Sequence, residues 1–130
     1  MFGDCSSSPR DIECAAEEAH EATVLRLRET LPDLTPAAGL LSLLADGVRL
    51  TVLATLSRSE LCVRHVAEAA GVSTAVASYH VRMLYRFGVV SLRISGRESY
   101  YSIADEGVRG LLAFAEQYSA DAVGGETSNE

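Results

Sequence analysis

The sequence predicts a mainly α-helical domain that carries one β-hairpin (α+β), arranged as a winged helix-turn-helix. Three observations predict it. Apolar residues recur at helical spacing, between start and stop signals, over most of the chain. The stretch AEAAGVSTAVASYHVRML reads as two short helices joined by a glycine turn. Directly after it the period changes. Residues 89–94 and 98–103 are rich in β-branched and aromatic side chains and flank Ser95-Gly96-Arg97, a hairpin signal.

Taken in order, residues 1–10 read as a flexible tail, with SSSP as a breaker cluster. Residues 11–30 read as a helix with Ile12, Ala16, Ala19, Thr23 and Leu27 on one face, ended by Pro32. Thr35-Pro36 is a cap followed by proline at the first helical position, and Ala37, Leu40, Leu41 and Leu44 form the stripe behind it. After Asp46-Gly47, residues 49–56 continue as a third helix with Val52, Leu53 and Leu56 inward. A fourth helix is expected to open at Ser59 or Glu60, with Val63, Val66, Ala67 and Ala70 recurring, and to stop at Gly71. Ser73 caps a fifth helix that reaches Phe87, buries Ala77, Val81 and Leu84, and ends at Gly88. Beyond the hairpin, Asp105 starts a last helix with the stripe Val108, Leu111, Leu112 and Ala115. One folded domain over 11–121 is expected, with 122–130 a polar, disordered C-terminal tail.

Composition limits what such a domain does. A chain of 130 residues that is 48% hydrophobic builds one core and is not wholly disordered. It has no run of 18 apolar residues, and its N-terminus has neither the basic nor the apolar region of a secretory signal. A cytoplasmic location and no membrane partner are expected. Three cysteines, an odd number, argue against a disulfide framework and leave packing, metal binding or redox chemistry. The net charge of −7 is unevenly spread. Residues 48–103 hold seven arginines and three glutamates, whereas 1–47 and 104–130 carry −6 and −5. Only this basic middle suits a phosphate backbone.

The same middle holds the chemistry. Ala67 lets the two short helices cross closely, Gly71 supplies the turn and Val72 plugs the junction. The second helix shows Ser73, Thr74, Ala75, Ser78, Tyr79, Arg82 and Arg86 away from its apolar face. Hydroxyls, an aromatic ring and guanidinium groups are what base edges and phosphates accept. Arg93 and Arg97 flank the hairpin tip and suit phosphates or a minor groove. DNA binding by Ser73, Thr74, Ser78, Tyr79, Arg82, Arg86, Arg93 and Arg97 is the expectation. No nucleophile–base pair, phosphate loop or paired carboxylate stands out, so no enzyme and no organic cofactor are expected.

The run ELCVRHVAEAAGVSTAVASYHVRMLYRFGVVSLRISGRESYYSIADEGV resembles the ArsR/SmtB family of metal-responsive repressors, most of all its cadmium- and lead-sensing CadC branch. The likeness rests on ELCV, the GV that opens the turn, ASYH in the second helix, LYRFGVV leading into the wing, and GRESYYS on the return strand. LLSLLADGVRLTVLATL matches the family's preceding helix pair, and the likeness spans about residues 38–118. It implies a homodimer whose first and last helices form the interface, with Val108, Leu111, Leu112 and Ala115 as the dimer stripe. It also implies an imperfectly palindromic operator with half-sites one helical turn apart.

The resemblance further implies a role for the cysteines. The branch carries C-V-C-D in the helix before the turn, completed by cysteines of the N-terminal tail. Here Cys62 keeps the first position, while Arg64 and His65 replace the second cysteine and the aspartate. Cys5, Cys14 and Cys62 then make a three-thiolate site for a thiophilic ion that acts as effector. Three sulfurs suit Pb(II) or As(III), whereas Cd(II) or Zn(II) calls for a fourth ligand such as water, His65 or a tail carboxylate. Against this stand a thiol redox sensor, in which Cys62 pairs with Cys5 or Cys14, and an effector-free DNA-binding module. A second zinc site of the family maps to Asp105-x-Gly107 and Tyr118-x-x-Asp121, where both histidines are missing, so no zinc site is expected there.

Overall fold

The computed structural model describes residues 10–129, with side chains described for 17–123. Apart from Arg10, the tail expected at 1–10 lies outside the described residues. The chain forms two compact units, Met1–Gly39 and Leu40–Glu130.

The first unit holds helix α1, Arg10–Thr30, and the first half of α2, Thr35–Leu44. The chain leaves α1 through a last helical bond from Leu31 N–H to the Leu27 carbonyl (2.8 Å), and Pro32 stops it there. Thr35 is already helical, and its N–H donates to Asp33 Oδ1 at 3.0 Å. The hydrogen bonds from Thr35 hold the Asp33 carboxyl below the usual carboxylate range. Val24, Leu27, Leu31 and Leu34 remain exposed.

The second unit contains α3 (Gly47–Arg58), β1 (Leu61–Cys62), α4 (Val63–Ala70), α5 (Thr74–Arg86), β2 (Val90–Ser95), β3 (Glu98–Ile103) and α6 (Glu106–Asn129). Helix α6 continues through the stretch read as a C-terminal tail, and its side chains are described as far as Val123. The Asp46 carboxylate caps α3 by accepting from Arg49 N–H at 2.9 Å, and the Ser73 hydroxyl caps α5 by accepting from Val76 N–H at 3.1 Å. Between α4 and α5 the chain turns at Gly71, with φ of 73°, and both Gly71 N–H and Val72 N–H donate to the Ala67 carbonyl.

The core is where the periodicity placed it. Val52, Leu53 and Leu56 of α3, Val66 and Ala67 of α4, and Ala77, Val81 and Leu84 of α5 are buried together. Each large aliphatic side chain among them contributes about 1.5–3 kcal/mol by leaving water.

The start of α4 corrects the sequence reading. No helix opens at Ser59 or Glu60. Leu61 and Cys62 instead pair antiparallel with Tyr101 and Tyr100, which makes a three-stranded sheet in the order β1-β3-β2. Two residues are too few to show a strand period, and their extended conformation is imposed by the free edge of β3. Side chains alternate across this sheet. Leu61, Tyr101 and Leu92 join the core. The next cross-strand row, Cys62, Tyr100 and Arg93, lies on the opposite face.

Candidate DNA interface and thiol site

Helix α5 presents one polar ridge. Thr74, Ala75, Tyr79, Arg82 and Arg86 are exposed, and Ser78 is half-buried beside the apolar face. Ser73 is exposed, with its oxygen engaged in the cap. The reverse face is sealed by Ala77, Val81 and Leu84, and by His80. His80 is 8% exposed, and its Nδ1 accepts from Arg49 Nε at 3.2 Å. Arg49 Nη1 donates to the Leu43 carbonyl at 2.7 Å. One guanidinium therefore ties the end of α2 and the start of α3 to the middle of α5, fixing the ridge from behind. The Tyr79 ring meets His80 edge-on, 5.1 Å between centroids, and is held outward from the helix.

The wing places its two arginines differently. Arg97 is exposed in the β2–β3 turn. Arg93 is engaged. Its Nε and Nη2 donate to Glu60 Oε2 and Oε1 at 3.0 and 2.8 Å, and its guanidinium lies 5.0 Å from the Tyr100 ring centroid. The hydrogen bonds from Arg93 hold the Glu60 carboxyl below its usual range.

Cys62 is 5% exposed and occupies the N-cap position of α4 without capping it. Its Sγ lies 3.6 Å from His65 Nδ1, one helical turn on. Sulfur and nitrogen donors at about 2.3 and 2.1 Å from one tetrahedral ion stand about 3.6 Å apart, so this pair fits two ligands of such an ion. A small cavity of about 340 Å³ opens beside it, lined by Cys62, Arg64, Thr74, Glu98 and Tyr101 among others. Arg64 is exposed, so water screens its charge from the thiol. Cys5 lies outside the described residues, and Cys14 belongs to α1 with its side chain outside them. Among the described residues no group of three or more His, Cys, Asp or Glu converges.

The family model for bacterial regulatory proteins of the arsR family matches residues 40–91. The cadmium resistance transcriptional regulatory protein CadC homolog of Staphylococcus aureus is 35% identical over 116 residues, spanning 85% of this chain and 96% of that protein. The chain belongs to the arsR family. A transcriptional repressor SmtB homolog of Synechocystis sp. is 43% identical over 70 residues, about half of each protein. The homodimeric winged helix-turn-helix DNA-binding domain of Mb0332 from Mycobacterium bovis has a TM-score of 0.57 at 30% identity, over 72% of this chain and 94% of that one. The ArsR-family chain is a transcriptional repressor with a DNA-binding winged helix, and its relatives are regulators, not enzymes.

At the start of α6, the Asp105 carboxylate accepts from Gly107 N–H at 2.8 Å, as expected of the residue that starts the last helix. What escaped the sequence in this ArsR-family protein is how the apolar stripe of α6 is used. Val108 and Leu112, read as part of a dimer stripe, are instead buried in the core of the unit. The apolar surface that stays open lies one step round the helix. Phe114 and Tyr118, stacked 6.2 Å apart, are 68% and 66% exposed. With Leu41, Leu50, Leu111 and Ala115 they line a groove of about 330 Å³.

Proposed function

We propose that the protein is a homodimeric repressor that binds operator DNA through α5 and the wing, and leaves it when a thiophilic ion is held by Cys62, Cys14 and Cys5. The carrying observation is the 3.6 Å pair of Cys62 Sγ and His65 Nδ1 at the head of α4. It adds an imidazole to the three thiolates and so admits Cd(II) or Zn(II) as well as Pb(II) or As(III). The names of the relatives point the same way, to cadmium resistance in CadC and mercury resistance in a repressor of Streptomyces lividans. Thiolate ligands supply a soft anionic site. Helix α4 carries Cys62 at its head and packs on α5 in the shared core, so a change at Cys62 reaches the reading helix through one layer of side chains.

The regulation is a coupling free energy. Ion and DNA each favour a different dimer conformation, and each weakens the other by the same factor. A coupling of about 1–3 kcal/mol lowers DNA affinity about 5–150-fold. A second copy would cover the Phe114–Tyr118 groove, placing two α5 helices against half-sites about one helical turn apart in an imperfect palindrome. Among the described residues no single helix is long and apolar enough to cross a membrane.

The test is a titration of the reduced protein, bound to a fluorescent duplex selected from a random pool, with Cd(II), Pb(II), Zn(II) and As(III). Sulfur-to-metal absorption is recorded in parallel for wild type and Cys62→Ser. DNA release with a thiolate band, both absent in the variant, is the expected result. Release by oxidant and recovery with dithiothreitol, with no response to ions, replaces the ion with thiol redox chemistry. Binding that ignores both leaves an effector-free repressor and refutes the proposal.

A further inference from the structure

The arginine that a phosphate-binding wing would use is already gripped by an anion. Arg93 presents its Nε and Nη2 to the two oxygens of Glu60 at 3.0 and 2.8 Å. That side-on fork is the edge with which a guanidinium chelates a phosphate. Glu60 is not part of the wing. It lies between α3 and β1, and it meets Arg93 on the face of the sheet that carries Cys62 and Tyr100.

We infer that Glu60 competes with DNA phosphate for Arg93, so that the wing makes its phosphate contact only by exchanging one anion for another. This rests on the reading that the wing touches DNA. Three features support the exchange. The carboxylate takes both donors of one guanidinium edge, leaving that edge nothing for a second anion. The side chains are 57% and 35% exposed, so a duplex reaches the pair and water weakens it. Tyr100 holds the guanidinium from below at 5.0 Å and keeps it aimed when the carboxylate leaves. Glu60 is thus a built-in restraint on DNA affinity.

The experiment measures binding of the same selected duplex across a salt series by wild type, Glu60→Gln, Arg93→Gln and the double variant. Both substitutions lie at the surface, and melting curves verify that all four proteins fold. Glu60→Gln is expected to bind about two- to five-fold tighter, the size of an exposed ion pair. Arg93→Gln is expected to bind more weakly, with a salt slope lower by about 0.9. Glu60→Gln should gain nothing when Arg93 is already Gln. An equal gain in both backgrounds overturns the inference, because Glu60 then acts by its general charge. No gain in either overturns it as well. An unchanged slope in Arg93→Gln removes the wing contact and the inference with it, while leaving recognition by α5 intact. Failure of every protein to bind any duplex refutes the DNA reading itself.

Discussion

At Gly71 the backbone adopts a φ of 73°, and a Cβ built there meets nothing within 4 Å. The demand for glycine is therefore conformational and not steric. Gly71→Ala should lower the unfolding free energy by about 1–2 kcal/mol, the strain of a left-handed L-residue, read as a shifted urea midpoint at constant slope. A much larger loss would mean that the whole turn rearranges. Gly71 was legible because a turn glycine is a local signal. His80 was not. By composition it is a polar residue on a DNA-facing helix, yet it sits buried against Arg49 Nε. Its partner is 31 positions away, and periodicity carries no information about such a pair. The same holds for Arg93, whose place in the wing was readable and whose partner Glu60 was not.

Among the elements, α5 was the most legible, since its cap, apolar face and arginines all lie within one short stretch. Arg82 and Arg86 stand exposed on its ridge. Arg82→Ala should weaken duplex binding and lower the salt slope by about 0.9, without moving the melting temperature. An unchanged slope would place the phosphate contact elsewhere. The element that sequence reasoning missed is β1. Its two residues are extended because β3 offers an open edge. It places Cys62 in the cross-strand row of Tyr100 and Arg93. Glu60, which grips the wing through Arg93, precedes Cys62 by two residues.

For the whole molecule, assembly falls on α6. Its apolar stripe was expected to serve a dimer, but Val108 and Leu112 complete the core of their own unit. Phe114 and Tyr118 are large aromatic groups left open on that helix. Phe114→Glu is expected to shift the protein from dimer to monomer in sedimentation velocity. It should also weaken duplex binding about tenfold or more, because the second half-site is no longer bound in the same event. A variant that remains dimeric would place the interface elsewhere. Arg58 holds α6 to α3 through a paired contact with Glu116 at 2.7 and 3.2 Å, and Arg109 reaches the Ser57 carbonyl at 3.0 Å. The face bearing Phe114 is thus carried on a helix anchored to the core.

By itself the sequence determined the order of helices, the turn at Gly71, the hairpin and the family, because caps, periodicity and turn glycines are properties of adjacent residues. It also supplied the thiol at position 62 and the arginines of α5. Tertiary structure alone decided which charges are engaged and which apolar side chains are used within the unit. Arg93 meets Glu60, Arg49 meets His80, and Val108 and Leu112 go inward. Each outcome depends on residues distant in the chain that come together only once the core has formed.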